Sequence, residues 1–191
     1  LDLYIHHRKV SIAKFIEIVR EDIGMHPDRD FLIVMNTIVS SQQVFGALTE
    51  QAEPGTAYTY LSTRVVPRER LSRIRMIKEK ERDPRRRVIV STQLIEAGVD
   101  IDVDVVYRDF APLDSVNQVA GRCNRNFGRA RGVMHLFEVV DERGVPYSRY
   151  IYRESEVLLQ KTRDVLEGKE IITEAEFVTT IGEYYAHVGD A

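Results

Sequence analysis

Residues 87–110 read RVIVSTQLIEAGVDIDVDVVYRDF, and their pattern decides the fold class. Arg87 to Ser91 (RVIVS) and Val103 to Phe110 (VDVVYRDF) are short runs rich in branched apolar residues, as expected of strands buried in a sheet. A short helical or turn segment joins them. Working outward, Phe31 to Asn36 (FLIVMN), Ala57 to Ser62 and Val133 to Val139 read as further strands, and Leu3 to Val10 as an opening extended piece. Helix-period segments lie between them. Ser11 to Ile23, with Ser11 as N-cap, places Ile12, Phe15, Ile16, Val19 and Ile23 at helical spacing. A second helix near Val39 to Glu53 is closed by Pro54-Gly55, a basic helix runs from Pro67 to about Asp83, and another from about Ser115 to Asn126. Strands alternating with helices predict an α/β doubly wound domain with a parallel sheet covered on both faces. Beyond Pro146 the pattern changes to two helices, about Arg153 to Glu167 and Thr173 to His187, separated by Gly168. The expected division is residues 1–145 as the α/β domain and 146–191 as a helical C-terminal extension of it.

With 191 residues, 43% hydrophobic, the chain is long enough for one globular core. No stretch approaches the roughly 20 apolar residues of a membrane helix, so a membrane role is not expected. A single Cys, Cys123, makes neither an intrachain disulfide nor a Cys-cluster zinc site, and a reducing, cytoplasmic setting is the expectation. The net charge of −3 hides an asymmetry. Between Arg64 and Arg87 stand eleven basic residues against four acidic ones, a local +7 that leaves −10 for the rest. Two readings stay open: a solvated helix face laced with charge pairs, or a footprint for a phosphate backbone.

No Gly-x-x-x-x-Gly-Lys-[Ser/Thr] phosphate loop and no Gly-x-Gly-x-x-Gly dinucleotide fingerprint occur. The histidines (His6, His7, His26, His135, His187) are scattered and none precedes Asp, so no His-Asp metal nuclease centre is encoded. His6 and His7 are neighbours in a probable strand and point to opposite faces, a poor chelate.

At 100° per residue, a helix through Asn126 would set Gln118, Arg122 and Arg125 in one polar stripe. Val116, Val119, Ala120, Cys123 and Phe127 lie roughly opposite and would pack on the sheet, with Cys123 a small core residue. Gly121 inside that helix would cost about 1 kcal/mol relative to Ala, pointing to a close approach on its side. Arg offers a rigid fork of donors suited to phosphate oxygens, so the stripe suits a triphosphate. A competing reading remains: Ser115 and Gln118 match a Ser-x-x-Gln capping box, in which Gln118 only closes the helix N-terminus.

The segments Ser91 to Asp102 (STQLIEAGVDID) and Gln118 to Arg125 (QVAGRCNR) resemble motifs V and VI of superfamily 2 helicases. The joining Phe110 to Ser115 (FAPLDS), with Asn124 inside the last motif, is most similar to the CRISPR-associated helicase-nuclease of type I interference systems. Asn36-Thr37 resembles motif IV, and Ser62-Thr63-Arg64 the next nucleic-acid contact motif, where family members usually carry His-Ser-Arg; Arg64 carries over best. The resemblance covers roughly residues 30 to 140. It implies the second of two RecA-like domains, a three-layer fold with a mostly parallel central sheet. The first RecA-like domain, which would bind most of ATP and Mg²⁺, and the His-Asp nuclease domain do not lie in these residues. Beginning at Leu1, the chain reads as part of a longer protein, and alone it is expected to be inactive as an ATPase.

By this resemblance Arg125 is an arginine finger, Arg122 a second phosphate contact, and Gln118 orients water or meets the terminal phosphate. Gly98 lets the backbone approach the nucleotide and Asp100 suits ribose hydroxyls. Asn36, Thr37, Arg64 and Thr92 line a groove for single-stranded DNA. Further implied partners are the first RecA-like domain and the nuclease domain, in cis or as a separate chain, and a CRISPR RNA-guided surveillance complex. Alternatives are another superfamily 2 motor for RNA or DNA, or a non-catalytic nucleic-acid-binding module.

Overall fold

The computed structural model describes residues 1–78, 86–96, 99, 101–123 and 131–189. In chain order the elements are β1 (Asp2–Ser11), α1 (Ile12–Met25), β2 (Phe31–Val34), α2 (Ile38–Glu50), β3 (Thr56–Leu61), α3 (Pro67–Lys78) and β4 (Arg86–Ser91). They continue with β5 (Val105–Asp109), α4 (Leu113–Ala120), β6 (Val133–Val140), α5 (Tyr147–Ile151), α6 (Glu156–Leu166), β7 (Ile171–Thr173) and α7 (Glu174–Gly189). The seven strands form one sheet in the order β3-β4-β2-β5-β6-β1-β7. Every pairing is parallel except β1 with β7.

Alternation along the strands builds two apolar layers, one on each side of the sheet. Phe31 and Ile33 of β2, Val88 and Val90 of β4, and Val105 and Tyr107 of β5 pack with Phe15, Val19 and Ile23 of α1 and Val44 and Leu48 of α2. Their neighbours Leu32, Val34, Ile89 and Val106 face the other way, towards Ile77 of α3, Val116 and Val119 of α4, Leu159 and Val165 of α6, and Phe177 of α7. Each such side chain, fully buried, contributes about 1.5–3 kcal/mol of apolar transfer. The three-layer, mostly parallel α/β architecture expected of a RecA-like domain is therefore what the chain adopts.

Local capping follows the sequence at two helices. The Ser11 hydroxyl accepts from the Lys14 amide at 3.3 Å, and Thr37 caps α2 by accepting from the Ser40 amide at 3.0 Å. Two elements depart from expectation. Helix α4 starts at Leu113 behind Pro112 and ends at Ala120, rather than spanning Ser115 to Asn126. Gly121 is its C-cap, exposed, and the atoms nearest a Cβ placed there are the helix's own Gln118 and Asn117 carbonyl oxygens at 3.7 and 3.8 Å. The helix-interior penalty expected for Gly121 therefore falls away, and among the described residues only those two carbonyl oxygens lie within 4 Å of such a Cβ. After Pro146 the chain is not wholly helical, because Ile171–Thr173 forms β7 along the edge of β1. Leu159, Val165, Leu166, Ile172, Phe177 and Tyr184 of this segment join the core layer that holds α4.

Candidate functional site at the carboxyl edge of the sheet

In a parallel sheet the loops that leave the strand carboxyl ends emerge on one edge, where open α/β folds bind ligands. Register aligns Leu61, Ser91, Val34, Arg108 and Leu136 across β3, β4, β2, β5 and β6. Ser62 to Arg64, Thr92, Asn36-Thr37 and Phe110 therefore leave neighbouring strands side by side. Four residues expected to grip a strand, Asn36, Thr37, Arg64 and Thr92, are brought to this common edge. Arg64 is exposed, Thr37 half-buried and Thr92 buried, with its amide donating to the Leu61 carbonyl at 3.3 Å.

Asn36 differs from expectation in its orientation. It is 1% exposed, its amide nitrogen donates to the Phe110 carbonyl at 2.7 Å, and its side-chain oxygen accepts from Arg108 at 2.8 Å. Both polar ends are taken inside the protein, so the side chain holds the edge together instead of facing a strand. Arg108, which sequence reasoning passed over, is fully buried, at the centre of this edge. Its Nη2 donates to Glu96 Oε1 at 3.0 Å and to the Ser115 hydroxyl at 2.9 Å. Ser115 in turn donates to the same Glu96 oxygen at 2.7 Å. Burial pushes the Glu96 carboxyl up, against the opposing pull of Arg108. Burial likewise raises Asp109 to about 7, although Arg108 and the amides of Val139, Asn36 and Phe110 favour its charged form. The signal that could have exposed this cluster is a charged Arg108-Asp109 pair ending an otherwise apolar strand.

The Ser115–Gln118 capping box does not form. Ser115 lies inside α4 and is committed to Glu96 and Arg108, while Gln118 is exposed. Because α4 stops at Ala120, Gln118 and Arg122 do not share a continuous helical stripe. Arg122 instead follows the C-cap, and its Nη2 donates to the Glu96 carbonyl at 3.1 Å. Its Nε is buried with no partner among the described residues. The following Cys123 bridges to Val103 beside the start of β5 and is buried, as expected of a core residue, together with Val116, Val119 and Ala120. Arg125, Gly98 and Asp100, and Phe127 of the expected apolar stripe, lie outside the described residues.

The segments 91–96 and 118–123 are thus joined through Glu96, and Glu96 meets the Asn36 loop through Arg108. Residues 28–127 match the family model described as CRISPR-associated nuclease/helicase Cas3, C-terminal. The chain belongs to this Cas3-like family.

Among relatives, the CRISPR-associated nuclease/helicase Cas3 of Haloferax volcanii is 50% identical over 56 residues, 28% of this chain and 6% of that protein. The crystal structure of T. fusca Cas3-ADP matches 96% of the chain and 24% of its own at a TM-score of 0.74 and 20% identity. A chain of the CRISPR RNA-guided surveillance complex, pre-nicking, matches 96% and 25% at 0.70 and 20% identity. The Cas3-like chain thus spans about a quarter of those structural neighbours. Among its described residues no helix is long and apolar enough to cross a membrane, and no group of three His, Cys, Asp or Glu side chains could hold a metal ion.

Proposed function

We propose that this Cas3-like chain is the second motor domain of an ATP-dependent, single-stranded-DNA translocase and helicase acting in CRISPR interference. The observation that carries the reading is the Arg122–Glu96 hydrogen bond, which joins the two helicase-like segments within a family-matched region. In this reading residues 1–145 form the motor domain and 146–191 its extension, supported by the core residues that the latter contributes.

The donor set fits a nucleotide's phosphates. Arg122 carries a buried Nε with no partner among the described residues, and Gln118, near the end of α4, is exposed. ATP with Mg²⁺, bound mainly by a first RecA-like domain, supplies the phosphoryl group whose hydrolysis drives the motor. Arg122 and Arg125 would hold phosphate oxygens and offset their charge, Gln118 would orient the attacking water, and Gly98 and Asp100 would contact the nucleotide. Thr37, Arg64 and Thr92 would position the strand backbone without reading bases, and Asn36 would brace them from beneath. The T. fusca Cas3-ADP and surveillance-complex neighbours support nucleotide and CRISPR partners. A nuclease domain would act with the motor in cis or on a separate chain.

The test uses the full-length protein. Arg125→Ala should abolish DNA-stimulated ATP hydrolysis while ATP binding survives, and normal turnover would remove Arg125 from the mechanism. Stimulation by RNA equal to that by DNA would favour a different superfamily 2 motor.

A further inference from the structure

We propose that Arg108 is a positioning residue that couples the nucleotide side of the site to its strand side, an inference that rests on the motor reading above. A guanidinium is costly to bury, and an apolar side chain of similar volume would pack the end of β5 without that cost, so packing alone does not account for it. Its two terminal nitrogens divide the work. Nη1 donates to Asn36 Oδ1 and to the Asp109 carbonyl, both at 2.8 Å. Nη2 donates to Glu96 and Ser115, and at 3.4 Å to the Tyr152 hydroxyl that precedes α6.

Each arm continues to a proposed ligand contact. Asn36 is followed directly by Thr37, the N-cap of α2 and a strand-groove residue. Glu96 presents its main-chain carbonyl to Arg122, a phosphate contact. A covalent and hydrogen-bonded path thus runs from Thr37 through Asn36, Arg108 and Glu96 to Arg122. The planar fork is essential to it, because a lysine ammonium at the same place could not hold the Asn36 oxygen and the Glu96 carboxylate in their two fixed directions. Loss of the fork should uncouple the two loops while leaving each of them folded.

The readout is the ratio of single-stranded-DNA affinities of the full-length protein with and without a non-hydrolysable ATP analogue, measured by fluorescence anisotropy. Coupling of the usual size makes this ratio about 5 to 150 in the wild-type protein. In Arg108→Lys it should fall to within about twofold of one, while the affinity for each ligand alone changes less than about threefold. Glu96→Met retains the main-chain acceptor for Arg122 and a side chain of similar length but removes the oxygen that Arg108 Nη2 holds, and should show the same loss, which guards against a folding defect peculiar to position 108. A ratio preserved in both variants overturns the inference and leaves the motor reading intact. Parallel loss of both separate affinities together with the thermal transition also overturns it, because the role would then be structural. A wild-type protein whose DNA affinity ignores the nucleotide overturns the motor reading and this inference together.

Discussion

The Arg87 guanidinium closes on the Asp30 carboxylate, with Nη2 at 2.7 Å and Nε at 3.1 Å from the same oxygen, while the Arg87 amide donates to the other oxygen at 2.8 Å. Arg87 also donates to the Ile77 and Asp102 carbonyls, and Arg86 to those of Ile23 and His26. These arginines open β4 and so lie at the amino edge of the sheet, opposite the candidate site. The basic stretch is therefore split: Arg86 and Arg87 staple the fold, whereas Arg64, Arg68, Arg75 and Lys78 are exposed. Arg87→Met should cost about 3 kcal/mol in denaturant unfolding, because it takes the guanidinium from a buried ion pair. Arg68→Gln should stay within about 0.5 kcal/mol.

Arg64 leaves β3 at the carboxyl edge and is exposed. If it contacts a strand phosphate, Arg64→Gln in the full-length protein should weaken single-stranded-DNA binding equally for all sequences. The slope of log affinity against log salt should shrink by about 0.7. An unchanged slope would remove Arg64 from the groove.

Gln118 is exposed and caps nothing, so its two readings separate cleanly. Gln118→Ala should leave the unfolding free energy within about 0.5 kcal/mol and lower kcat of DNA-stimulated ATP hydrolysis by on the order of 10²-fold. Lost stability with unchanged kcat would return Gln118 to a structural role.

The Cys123 thiol is buried, which pushes its pKa up to about 12. At pH 8 it should therefore resist alkylation by iodoacetamide in the native protein and react promptly in guanidinium, since the thiolate is the nucleophile. Mass spectrometry of the labelled chain under both conditions checks this.

His6 and His135 meet ring to ring across β1 and β6 at 3.2 Å, beside Phe137 and Tyr107. Burial lowers His135 to about 4, with His6 adding to the effect. Its folded pKa lies below the unfolded value, so the unfolded state takes up the proton first, and stability should fall as pH drops from about 6.5 to 4. The loss is on the order of 3 kcal/mol at 1.36 kcal/mol per pKa unit. Asp109, raised to about 7, acts in the opposite sense over the same window, adding stability as pH falls from 7 towards 4. The difference between wild type and His135→Gln isolates the histidine: relative to wild type, the variant should gain about 3 kcal/mol between pH 7 and pH 4.

Much of the sheet was legible because strand burial is written locally. The runs at 31–34, 86–91 and 105–109 are apolar wherever both faces are covered, and the structure moves the expected bounds by at most two residues at each end. Strand β7 was not legible, since Ile171–Thr173 is too short to show a period and adjoins the helical run of α7; pairing with β1 makes it a strand. The end of α4 was missed for a related reason. The residues after Ala120 continue an amphipathic pattern, yet Cys123 is drawn to Val103 and Arg122 to the Glu96 carbonyl.

What the sequence by itself determined was the alternation that makes a two-faced parallel sheet, the placement of polar segments at its carboxyl edge, and the motif resemblance that the family match confirms. What only the tertiary structure decided was the direction in which polar side chains point. Asn36 and Arg108 are 72 residues apart, Arg108 and Glu96 12, Arg122 and Glu96 26. Periodicity reports a residue's face relative to its near neighbours, whereas a buried donor is satisfied by whatever acceptor folding brings alongside it. That is why the stripe expected of Gln118 and Arg122 gave way to a junction at Glu96, and why Arg108, unremarkable in the chain, lies at its centre.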